Sequence, residues 1–176
     1  MASPVGHSIA GMIGWIASGD FRQQQASRLL FWYFTAANAA DLDLVPGLLL
    51  GDTRLFHHGM THSVGAMAMF GLMLLVFRWV WQGPGYVSIL ALTAVYGSHL
   101  LIDWLTADFV PPIGAAFLWP FSAEHYHFPV SIFLHIERQN VWQWPTLAHN
   151  LAAVLWECVL LLPILGAVLY RKTHDG

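Results

Sequence analysis

Two stretches of this chain carry no charge at all: Ser63 to Phe77, and Trp79 to Ile102, with Arg78 alone between them. A soluble domain of this length needs a charged shell, yet charged residues make up only 10% of the sequence against 57% hydrophobic, where a typical soluble domain has about 25% charged. Burial in a membrane resolves the conflict. The Gln82-Gly83-Pro84-Gly85 cluster divides the region into two helices, about Thr61–Trp81 and Tyr86–Thr106. Each is close to the roughly 20 residues that cross a bilayer. A third, Leu-rich span is expected at about Leu147–Tyr170, with Glu157 inside it, well below the other acidic groups, and a kink point at Pro163.

Shorter helices are expected at Val5–Ser18, opened by Ser3 as N-cap with Pro4 at the first helical position, and at Ser27–Ala40. Residues 107–146 form a Pro- and Trp-rich connection suited to the membrane interface, where Trp is favoured. The fold these features imply is all-α: a multi-pass transmembrane helix bundle forming one domain over residues 1–176. The first charge is Asp20, so no basic segment precedes the first apolar stretch and no cleavable targeting peptide is expected. The net charge of −3 gives no sign of nucleic-acid binding, and Cys158, the lone cysteine, reads as a packing residue.

Cation placement gives an orientation. If the chain alternates, Arg22, Arg28, Arg78, Arg171 and Lys172 fall on one side and Arg54 and Arg138 on the other. The first side is then cytoplasmic. That threading has a chemical consequence. His7, Asp41, Asp43, His57, His58, His62, His99 and Asp103 all fall at the non-cytoplasmic ends of four separate segments. Helix bundles build metal sites in this way, from side chains on facing helices.

The spacings agree. His99 and Asp103 are four apart and share a helix face with Tyr96 one turn below; His58 and His62 have the same spacing, with His57 in reach. Asp41 and Asp43 are two apart and in extended chain would point the same way. On the first helix Gly11 and Gly14 share the face of His7 and let a neighbour approach closely. Imidazole with carboxylate suits zinc or a similar divalent ion. His135, His149 and His174 read instead as capping or interfacial groups, while His125 and His127 remain open between the two readings. Asp103 or Asp41 alone would pass for a helix cap; recurrence in four segments is what favours a metal. His58 is followed by Gly59, so the H-E-x-x-H zinc-protease motif is absent, as are a G-x-S-x-G elbow and a phosphate-binding P-loop.

At these residues the chain resembles the YdjM family of bacterial membrane-bound proteins, described as metal-dependent hydrolases. The likeness covers Gly6-His7, Asp41-Leu42-Asp43, His57-His58-Gly59-Met60-Thr61-His62-Ser63, Ser98-His99-Leu100-Leu101-Ile102-Asp103 and Leu118-Trp119-Pro120-Phe121. Ala40 stands where the family often has proline before the aspartate pair, and His58 where it often has arginine. The resemblance therefore implies a ligand role for His57 and His62 and a substrate-side place for His58. The order of ligands is also similar to that of the zinc-dependent phospholipase C and nuclease group, which points to a phosphoester or lipid-linked phosphate as substrate.

The function expected is thus an integral-membrane hydrolase of the bacterial inner membrane. One or two divalent ions, zinc first, would be held by His7, Asp41, Asp43, His57, His62, His99 and Asp103, with Asp43 as base and Arg54 and Arg138 for the phosphate. The alternative is a non-enzymatic membrane protein with a structural or sensory metal site. A transporter would want ionisable groups strung through the membrane, and here, Glu157 apart, they gather at one end. The bilayer is the expected partner; oligomeric state has no signature in the sequence.

Overall fold

Ser3 opens the first helix as its side chain allows: its Oγ accepts the Gly6 amide at 3.1 Å, and Pro4 fills the first helical position, where no amide hydrogen is needed. The computed structural model describes residues 1–51, 58–81, 83–109 and 113–174. Among these, the α-helices are α1 Pro4–Ala17, α2 Ala26–Asn38, α3 Leu44–Leu49, α4 Val64–Trp81, α5 Tyr86–Trp104 and α6 Trp144–His174. Short 3-10 turns lie at Asp20–Arg22, Ala40–Asp43 and Met60–His62. Among the described residues no strand forms beyond two isolated bridges, Thr106 with Phe133 and Ala115 with Tyr126. The fold is all-helical, as expected.

α5 and α6 are long and apolar enough to cross a membrane. The apolar stretch of α4, Val64–Val80, is shorter; at 1.5 Å per residue it reaches about 26 Å, short of a hydrocarbon layer of about 30 Å. By length and composition two candidate spans therefore stand where the sequence suggested three. α4 starts at Val64 rather than Thr61 because Ser63 is extended (φ −129, ψ 157) and caps the helix, its Oγ accepting the Ala66 amide at 3.0 Å. α6 runs further than expected at both ends, straight through Pro163.

α1 lies at the centre, against α2, α5 and α6, while α4 packs on α5. Close approach depends on glycine. A Cβ on Gly11 would stand 3.0 Å from the Tyr33 carbonyl oxygen of α2, and one on Gly14 would collide with Val95 of α5. Tyr33, Leu74, Ile89, Leu92 and Val95 form the core between α2, α4 and α5, and Ile9, Ile102 and Leu161 that between α1, α5 and α6.

The helix ends sort into two groups. At one end, buried Asp20 accepts from Tyr33 Oη at 2.9 Å and from Ser88 Oγ at 3.0 Å, tying the α1–α2 turn to the start of α5. Arg22 donates to the Lys172 carbonyl there, and Arg78 to that of Pro84, so the end of α6 and the start of α5 share this level. A cleft of about 450 Å³ lies at this end, lined by Gln23–Gln25, Arg28, Trp32 and Phe77. The opposite end gathers the start of α1, the end of α2, the start of α4 and the end of α5, and it holds His7, Asp41, Asp43, His62, His99 and Asp103.

Candidate metal centre

Four side chains converge from three elements. Asp41 comes from the turn that follows α2, His62 from the turn that precedes α4, and His99 and Asp103 from one face of α5. One donor atom from each lies within 4.8 Å of every other. His62 Nε2 stands 3.2 Å from His99 Nε2, and Asp103 Oδ2 stands 3.3 Å from both. Asp41 Oδ1 is 3.6 Å from His62 Nε2 and 3.7 Å from His99 Nε2. A tetrahedral ion with bonds of about 2.0–2.1 Å needs ligand atoms about 3.3–3.4 Å apart. The spacings match.

Tautomers sharpen the argument. The Ala37 carbonyl, left without an intrahelical partner at the end of α2, accepts from His99 Nδ1 at 2.7 Å. Asp43 Oδ2 accepts from His62 Nδ1 at 3.1 Å and from Thr61 Oγ1 at 2.6 Å. With both Nδ1 atoms protonated, both Nε2 atoms offer lone pairs to the same point. Histidines that ligate metals are oriented in this way by a carboxylate or carbonyl behind the ring. Asp41 Oδ1 and Oδ2 and Asp103 Oδ2 are buried with no hydrogen-bond donor among the described residues. Lone pairs gathered out of water without a donor repel one another; a divalent cation satisfies them together. The donor set therefore could hold a divalent metal ion.

The surrounding residues divide by position. His7, fully buried, stacks on His99 at 3.7 Å with Nε2 3.4 Å from Asp103 Oδ1; it borders the four atoms without joining them, and neither ring nitrogen has a hydrogen-bond partner among the described residues. Asp43 lies behind His62. The expected parallel pointing of Asp41 and Asp43 fails because the pair sits in a 3-10 turn, where residues two apart diverge. His58 is not helical: it has a left-handed φ of 63, its ring edge meets His62 at 5.1 Å, and Nδ1 lies 3.8 Å from Asp108 Oδ2. His57 and Arg54 lie outside the described residues. Arg138 is half-buried. Burial pushes its guanidinium down, against the opposing pull of Asp41, Asp103, Asp43 and Asp108, whose field it shares.

Sequence reasoning missed two contributors. Asp108, in the connection after α5, accepts the Gly114 amide at 2.8 Å beside His58; nothing in its spacing marks it. Glu157 is not well below the site: it is buried against the first turn of α1, accepting from Ser3 N at 2.7 Å and from Ser3 Oγ. The neighbouring Ala2 amide donates to Asp103 Oδ1 at 2.8 Å. His135 and His149 pack together, with His149 Nε2 donating to the His135 carbonyl at 2.9 Å. The Trp119 carbonyl of the late motif lies 2.5 Å from where a Cβ on Gly65 would stand, so that motif packs on the start of α4.

The family model described as YdjM inner membrane protein matches residues 1–174. No curated protein and no solved structure matches the chain.

Proposed function

The chain belongs to the YdjM inner membrane protein family, and from that premise we propose that it is a multi-pass membrane hydrolase that binds a divalent cation, zinc by preference, and cleaves a phosphoester. One observation carries the reading: four donor atoms, two of nitrogen and two of oxygen, lie within 4.8 Å of one another, and the buried oxygens of Asp41 and Asp103 have no hydrogen-bond donor among the described residues. The five cations Arg22, Arg28, Arg78, Arg171 and Lys172 belong to the opposite end of the bundle, which supports a non-cytoplasmic metal end.

A bound divalent ion supplies an acidified water and polarises a phosphoryl oxygen. The protein's own groups do the rest. His62 and His99 present Nε2, locked in that tautomer by Asp43 and by the Ala37 carbonyl. Asp41 has the most exposed side chain of the four, at 11% against 3% or less for the others. Its Oδ2 has no described donor, so we assign it the proton of an attacking water. Asp43, the base expected from sequence, already accepts from His62 and Thr61 and is better suited to hold His62. Arg138 keeps its charge in a half-buried place and would draw a phosphate to the rim, with His58 alongside.

A second reading has its own support. Four protein donors already complete a tetrahedron, and closed four-ligand sites are the structural kind. The test is metal content, thermal stability and turnover on a phosphoester panel, measured side by side for wild type, Asp41→Asn and His99→Ala. The hydrolase reading expects turnover that a chelator removes and zinc restores, and an Asp41→Asn variant that holds more metal than His99→Ala yet loses about 10²–10⁴-fold in rate. If metal-loaded protein turns over nothing in the panel, and metal and stability fall together in every variant, the structural reading replaces it.

A further inference from the structure

From Leu44 to Gly51 the chain has no polar side chain. It forms α3, which packs chiefly on the Ala40–Asp43 turn and leaves its own apolar side chains outside. Leu48 and Leu49 are 69% and 81% exposed, and Val45, Leu50, Leu42 and Met60 extend the same kind of surface over the neighbouring turns. Soluble proteins rarely leave a patch of this sort in water, since each square ångström costs about 25 cal/mol. α3 is too short to cross a bilayer. It follows directly on the turn that carries Asp41, and that turn packs on α5, so α3 belongs to the metal end of the bundle. A short apolar helix left exposed in this way is suited to lie in a membrane interface, as the exposed apolar side chains of α4 and α6, such as Leu72 and Val159, are suited to face lipid.

Of the four ligands Asp41 lies nearest the surface, its side chain 11% exposed against 3% or less for Asp103, His62 and His99, with both carboxylate oxygens turned inward and buried. Asp41 belongs to the turn that leads into α3, with Leu42 next to it pointing outward. We infer that substrate reaches the ion sideways from the bilayer, its acyl or alkyl portion staying on the α3 surface while its phosphate passes Asp41, so that the substrate class is a lipid phosphoester and not a soluble one. This rests on the hydrolase reading above.

Two measurements on the full chain in liposomes test it separately from that reading. With Cys158→Ser as background, a nitroxide at Leu49→Cys should be relaxed by oxygen more than by a water-soluble nickel chelate, whereas one at exposed Glu124→Cys should show the reverse. A Leu49 label that behaves like the Glu124 label overturns the inference. In the zinc-loaded protein, p-nitrophenyl hexadecyl phosphate should be cleaved about tenfold or more faster than p-nitrophenyl ethyl phosphate, because the long chain partitions to the apolar surface, and Leu49→Asp should bring the ratio toward one. Equal rates in wild type, or a ratio indifferent to Leu49→Asp, overturns the lipid assignment and leaves the hydrolase reading standing. If neither ester is cleaved while the Leu49 label lies in lipid, the hydrolase reading falls and takes the substrate class with it.

Discussion

His62 meets three carboxylates at once: Asp43 at 3.1 Å on Nδ1, and Asp103 and Asp41 at 3.3 and 3.6 Å on Nε2. Burial opposes a charge on the ring, but the carboxylates of Asp103, Asp41 and Asp43 grouped around it outweigh it and hold its pKa well above the ordinary value. In metal-stripped protein the His62 proton therefore stabilises the fold in full below the ordinary pKa of about 6.5, and that contribution is lost as pH rises through the elevated folded-state value. A divalent ion competes for the same nitrogen, so metal affinity should rise over the same interval. Thermal unfolding against pH, with and without a chelator, checks this: Tm should fall with rising pH in the stripped protein and hold or rise in the loaded one. Parallel curves would count against His62 as a ligand. Asp43→Asn removes the charge that orients His62 and should weaken metal binding about 10–100-fold. His99→Ala, which deletes a donor, should weaken it further; competition with a chromophoric chelator measures both.

At the scale of the helices, the site depends on ends meeting. Glu157 of α6 receives the Ser3 amide and hydroxyl, and the adjacent Ala2 amide holds Asp103. Glu157→Leu strands the Ser3 donors in an apolar place and should cost about 1–3 kcal/mol, read as a drop in Tm. Glu157→Gln keeps an acceptor and should cost less. Much of this level was legible in the sequence. Ser3-Pro4 marks the start of α1, Gly83-Pro84-Gly85 separates α4 from α5, and the four-residue spacing of His99 and Asp103 puts them on one face because their segment is a true helix. The same spacing misled at His58 and His62, since Gly59 and the extended Ser63 break the helix before α4 begins. α3 was not foreseen: six residues around Pro46 carry too little periodicity to register, and it takes shape from the Asp41–Asp43 turn that leads into it. Glu157 was placed in its helix correctly but at the wrong depth, because the first turns of α6 run on beyond the site and Glu157, well inside the helix, is what meets Ser3 at the start of α1.

For the whole molecule, the alternation of helix ends makes sidedness measurable. Reporters inserted within Gly83–Gly85 and fused after His174 should both report the cytoplasm, and one inserted at Gly114 should report the opposite side. Agreement of the Gly83 and Gly114 reporters would mean that α5 does not cross. The convergence of His and Asp on one end was legible because four segments repeat it. Which of the eight would bind was not, since the choice between Asp41 and Asp43 turns on a single 3-10 turn. The account stands on the four atoms of Asp41, His62, His99 and Asp103 holding an ion. Elemental analysis of detergent-purified protein tests that most directly, with His99→Ala and Asp103→Ala beside wild type. The expected result is about one tightly held divalent ion per chain, zinc foremost, lost in both variants while the helical content stays. Wild-type protein that purifies and reloads without any divalent metal, or variants that keep the full amount, would contradict it.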